Sequence, residues 1–110
     1  MRIISQDGVY DTPYEITQLW IRERNGVADL YHIRGSMPAD EAITLAIYSS
    51  EEKAIKAMEM LREQHEKAAF LKTIINTEKG ASFVRGLSKT DFDKMTQNYF
   101  QFPKEDEIEV

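Results

Sequence analysis

The chain has 110 residues, 42% hydrophobic and 30% charged, the size and balance of one folded domain rather than a disordered segment. It has no cysteine, which excludes disulfides, thiolate metal sites and cysteine nucleophiles. The formal net charge is −5; residues 104–110 carry Glu105, Asp106, Glu107 and Glu109 against Lys104 alone, so the body is nearly balanced.

Met1 to Ser5 reads as a short strand, and Asp7-Gly8 supplies a turn. Asp11-Thr12-Pro13 is a second break. Tyr14 to Arg24 predicts a strand that runs into Asn25-Gly26, the strongest short hairpin signal. A two-residue loop sets the register: Arg24 faces Val27, Arg22 faces Asp29, Ile21 faces Leu30, Trp20 faces Tyr31 and Leu19 faces His32. Opposite charges meet, aliphatics meet and aromatics meet, each pair contributing roughly 0.2–1 kcal/mol.

Gly35-Ser36-Met37-Pro38 breaks the second strand of the hairpin. Ala42 to Tyr48 predicts a further strand, with Ile43, Leu45 and Ile47 alternating on one half-buried face. Ser49 and Ser50 open a long helix. Ser49 with Glu52 has capping-box spacing, and Glu51 and Glu52 suit the positive end of the helix dipole. Ala54, Ala57, Met58, Leu61 and Ala68 form its apolar stripe, and Gly80 is its predicted stop. A break near His65–Lys67 would relieve its length. Ser88 caps a short second helix to about Gln97, and Tyr99 to Phe102 is a last strand that Pro103 ends.

The predicted fold is therefore α+β. One antiparallel sheet of four or five strands is packed by the long helix, with a short helix before the C-terminal strand. Residues 1–103 form the domain and 104–110 an acidic tail, read as a solvated end. The apolar runs are too short to span a membrane, and the N-terminus lacks a signal-peptide core, which together with the missing cysteine predicts a cytoplasmic protein.

Met1-Arg2-Ile3-Ile4-Ser5-Gln6-Asp7-Gly8 followed by Pro13-Tyr14-Glu15, the stretch LAIYSSEEKAIKAMEMLRE from Leu45 to Glu63, and the ending YFQFPKEDEIEV resemble a family of small proteins of Firmicutes and their phages and mobile elements. The resemblance covers both ends and the first half of the long helix, and does not extend over about Leu71 to Asn98. It implies a bacterial or phage cytoplasmic setting, and no activity, cofactor or catalytic residue.

Motifs for chemistry are sparse. His32 and His65 have no second histidine or carboxylate at ligand spacing, so surface or structural roles are the expectation, and no metal or cofactor is predicted. Asp7, Asp11 and Glu15 could hold a hard cation or act as acid and base, but no glycine-centred calcium loop follows. There is no phosphate loop and no nucleophile elbow, which disfavours an enzyme. Lys72, Lys79, Arg85, Lys89 and Lys94 could bind nucleic acid through residues 72–97, but Glu78, Asp91 and Asp93 interleave with them.

The hairpin is more informative. Thr17, Leu19, Ile21, Ala28 and Leu30 share one face, and Ile16, Trp20, Tyr31 and Ile33 the other, so both are partly apolar. The plainer reading covers one face with the long helix and the other with residues 81–97. The sharper one leaves Trp20 and Tyr31 open for a partner. Glu105, Asp106 and Glu107 could likewise dock on a basic groove. The functional expectation is a non-catalytic protein-binding, regulatory or host-interference protein, an inhibitor of a host nuclease being one version. The alternatives are a small nucleic-acid-binding regulator and a small enzyme. A homodimer through the stripe of Ala54, Met58, Leu61 and Ala68 is also open.

Overall fold

The computed structural model describes residues 1–32 and 42–109; the expected break at Gly35–Pro38 and the position of Ile33 lie outside them. The strands are β1 (Arg2–Ile4), β2 (Asp11–Pro13), β3 (Leu19–Arg24), β4 (Val27–His32), β5 (Ile43–Tyr48) and β6 (Tyr99–Gln101). The helices are α1 (Glu51–Ile74), α2 (Glu78–Arg85) and α3 (Lys89–Thr96). The α+β class stands, but the single sheet does not. Two three-stranded sheets form, ordered β2-β1-β6 and β3-β4-β5.

The division occurs at Pro13. Proline has no N–H to extend the ladder, and Tyr14–Ile16 turn as a 3-10 helix, so the strand predicted from Tyr14 begins only at Leu19. Thr17 fixes this turn: its N–H donates to Tyr14 O and its hydroxyl to Pro13 O. In the first sheet β1 pairs antiparallel with β2 and parallel with β6, which joins the two ends of the chain. The Asp7-Gly8 turn forms as predicted, with Gly8 at φ 78° and its N–H donating to Ser5 O.

The hairpin has the predicted register at every named pair. Asn25 and Gly26 take φ values of 53° and 79°, the left-handed conformations that a type I′ turn requires. β5 departs from its expected alternation. Leu30 pairs with Ala46 and Tyr31 with Thr44, which makes Leu45 the extra residue of a bulge. The bulge turns Ala46 and Tyr48 to the core and Ile47 to solvent, so Ile43, Leu45 and Ile47 do not share a face.

α1 crosses the inner face of this second sheet. Ala54, Ala57 and Leu61 pack with Ala28, Leu30, Ala46 and Tyr48, and the small alanines permit close approach of helix to sheet. The stripe considered for a helical dimer is thus largely occupied by the chain's own sheet. The helix is capped by Ser50, whose side chain accepts from Lys53 N, rather than by Ser49. It is unbroken at His65–Lys67 and ends at Ile74, short of Gly80. Gly80 lies inside α2, a separate helix whose apolar residues Phe83 and Val84 carry no clear periodicity in the sequence. Ser88 caps α3 as predicted, accepting from Asp91 N.

The C-terminal segment completes the core. Phe100, Phe102 and Ile108 join Ile3 in the same apolar cluster, and Ile108 is only 4% exposed. Glu105, on a 3-10 turn over Glu105–Glu107, accepts from Ser49 N (3.0 Å), Ser49 Oγ and Lys53 Nζ (2.8 Å). Tyr48 OH donates to Pro103 O at 2.7 Å. The segment after Pro103 is therefore fastened to β5 and α1 rather than free in solvent.

This anchor is pH-dependent. The Lys53 ammonium and then the Ser49 hydroxyl hold the Glu105 carboxyl at about 2, below its ordinary 4.5. A depressed carboxylate stabilises the fold above its unfolded pKa, and that contribution disappears as pH falls toward the folded one. The Glu105 contribution is therefore complete above about pH 4.5 and lost on the way to about pH 2. Urea unfolding across this window should show a steeper acid decline for the native chain than for Glu105→Gln; parallel declines would contradict the anchor.

Candidate interaction face

The face of β3-β4-β5 turned away from α1 is built by strand alternation. Trp20, Tyr31 and Thr44 form one cross-strand row, Arg22, Asp29 and Ile47 the next, and Arg24 and Val27 the end beside the turn. Trp20 and Ile47 are each 52% exposed, and Val27 is exposed as well. Polar contacts organise the centre. Arg22 donates to Asp29 through Nη2 (2.9 Å) and Nε (3.4 Å) while its guanidinium sits 4.7 Å from the Tyr31 ring centroid. The hydrogen bond to Asp29 raises the pKa of Arg22, whose guanidinium is charged at physiological pH in any case.

The predicted cover for this face, residues 81–97, lies elsewhere. α2 and α3 pack on α1, on the far part of the helix. Among the described residues no helix lies over Trp20 and Tyr31. The fully buried Leu30 and Ala28 on the opposite face explain why both faces of the hairpin read as apolar. One is core, and the other is an exposed aromatic and aliphatic surface.

Compared with known proteins, the chain matches no family model, no curated protein and no solved structure. The site is therefore read from its geometry alone.

The other predicted positions are scattered. Asp7 accepts from Ser5 Oγ (2.5 Å) and Val9 N (3.0 Å), and these bonds lower its pKa, Ser5 first. Asp11 pairs with Arg2 at 2.7 Å, and Glu15 accepts from the Met1 amine at 3.1 Å. Each carboxylate of this group thus has its own partner, and no group of three metal-ligating side chains gathers among the described residues. His65 stacks on Tyr14, centroids 3.9 Å apart, near a 260 Å³ pocket lined by Ile3, Tyr14, Thr17, Leu19, Met58, Leu61 and Arg62. His32 is buried at 1% exposure beside Tyr10. Lys72, Lys79, Arg85, Lys89 and Lys94 are exposed, but so are Glu78, Asp91 and Asp93 on the same two helices and their approaches, so the signs stay mixed. Of the acidic end, Glu105 is spent on Ser49 and Lys53, while Asp106 and Glu107 remain exposed. Among the described residues no helix is long and apolar enough to cross a membrane.

The contribution of Ile47 to this face is the one the alternation of β5 does not predict, because the bulge at Leu45 reverses the faces beyond it.

Proposed function

We propose that the chain is a non-catalytic protein-binding module whose contact surface is the outer face of β3-β4-β5. One observation carries this reading: Trp20 stands half-exposed in a row with Tyr31, on a sheet face that also exposes Ile47 and Val27. Aromatic and arginine side chains with an apolar neighbourhood supply most of the affinity at protein interfaces. Arg24 stands at the turn end of the face, while Arg22 in its centre is paired with Asp29, so the face fits a folded partner with an apolar spot and a carboxylate at that end. The setting we propose is the cytoplasm of a bacterium or its phage, in a regulatory or host-interference role; the resemblance of the two ends and the first half of α1 to the small mobile-element family supports it. Inhibition of a host nuclease remains one version, with the aromatic face rather than the acidic end as the contact.

Trp20→Lys should weaken partner binding by about 2 kcal/mol or more, the scale of an interface hot spot. Because Trp20 is half-exposed and its main contact is the cross-strand pair with Tyr31, stability should change by no more than about 1 kcal/mol. Paired affinity purifications from the native cell, one with the native chain and one with Trp20→Lys, check this against Lys94→Glu as control. The reading requires a protein that the native chain and Lys94→Glu retain and Trp20→Lys loses. A partner lost with Lys94→Glu but kept with Trp20→Lys would move the function to the α2–α3 segment.

A further inference from the structure

The two edges of the second sheet differ. The β5 edge is closed by Gln6 in the manner of an added strand. Gln6 N donates to Leu45 O (2.7 Å), Ile47 N donates to Gln6 Oε1 (3.1 Å), and Gln6 Nε2 donates to Ile47 O (3.3 Å). At the β3 edge, among the described residues, no strand is paired and no backbone hydrogen bond leads outward. A two-residue type I′ hairpin makes Arg24 and Val27 a hydrogen-bonded pair, and the alternation carries through Arg22 with Asp29 and Trp20 with Tyr31. The N–H and C=O groups of Leu19, Ile21 and Glu23 therefore point away from the sheet. Such an edge is a template for another strand.

We propose that a second copy of this chain occupies that edge, β3 pairing antiparallel with β3 about a two-fold axis. The composition of the strand favours its own copy. With Ile21 opposite Ile21 of the second copy, Leu19 and Glu23 exchange their free backbone bonds across the axis, so the whole outward set is paired. On the outer face the same register sets Trp20 against Arg22 of the second copy, twice by symmetry. A guanidinium already placed near Tyr31 then also meets an indole. Because Gln6 closes the other edge, the pairing closes as a dimer with one six-stranded sheet rather than growing into a fibre. The inference concerns the edge, not the face, and stands whether or not the face binds a foreign protein.

The test uses analytical ultracentrifugation of the full chain at rising concentration, with Glu23→Pro as the blocking variant. Glu23 is exposed and its N–H faces outward, so proline there removes an intermolecular donor and leaves the hairpin bonds intact. The native chain should approach twice the monomer mass, and Glu23→Pro should raise the dimer dissociation constant at least about tenfold. Amide hydrogen exchange of the native chain gives a second reading that needs no variant. Protection at Ile21 and Glu23 should rise with concentration, while Trp20 and Arg22, already bonded to β4, should not change. A native chain that stays monomeric, or a dimer whose Ile21 and Glu23 amides gain no protection, overturns the proposal.

Discussion

Phe102→Ala should lower the unfolding free energy by about 3–5 kcal/mol, the range for emptying a fully buried aromatic site. Phe102 is 1% exposed, packs edge-to-face on Phe100 (5.4 Å, 89°), and its N–H donates to Ile4 O at 3.1 Å. β1, β2 and β6 are three residues each, too short to persist as an independent sheet. They hold because Ile3, Phe100, Phe102 and Ile108 fill one cluster with the inner face of the hairpin and α1. Losing this fully buried aromatic side chain should therefore loosen both ends of the chain together. Equilibrium urea unfolding measures it. A loss below about 1 kcal/mol, the scale of a typical surface-to-average substitution, would mean that the C-terminal strand is not part of the core.

Gly80→Ala should destabilise as well, against the direction of helix propensity. Alanine is favoured over glycine within a helix by up to about 1 kcal/mol. Here a Cβ would sit 1.7 Å from Ile74 O, 2.5 Å from Ile74 C and 2.7 Å from Thr77 Oγ1. The first two are backbone atoms that no rotamer change can move. Thr77 Oγ1 is fixed too, since it donates to Ile74 O (2.7 Å) and accepts from Gly80 N (2.9 Å) as the cap of α2. The overlap wins, at a net cost of about 1–3 kcal/mol. Since α2 packs chiefly on α1, the loss should be local. Amide exchange should speed up in α2 and at the end of α1, and the hairpin should keep its protection. An alanine variant as stable as the native chain would contradict this junction.

Local signals were legible where one residue pair decides the structure. Asn25-Gly26 fixed a turn whose twist matches a hairpin, and the two-residue loop then dictated five pairings, all present. Ser88 three residues before Asp91 announced α3. Errors came where tertiary contacts decide. Both Ser49 and Ser50 satisfy helix-start statistics; Ser50 takes the cap while Ser49 is drawn to Glu105, more than fifty residues away. Gly80 looked like a terminator, yet it is needed for the passage of the Ile74 carbonyl, a contact between backbones that composition does not encode. The acidic end read as solvated because its charges outnumber Ile108, whose burial depends on a pocket assembled from both sheets. Trp20 and Tyr31 were visible as a pair, but whether anything covered them depended on where α2 and α3 would pack.

The most direct test of the open face is the fluorescence of Trp20, the single tryptophan of the chain. At a concentration low enough to keep the chain monomeric, the native emission should lie near that of the urea-unfolded protein and be quenched readily by acrylamide, because the indole is 52% exposed. A blue-shifted native emission that resists acrylamide would mean that Trp20 is covered, and the outer face of β3-β4-β5 would then not be the binding surface.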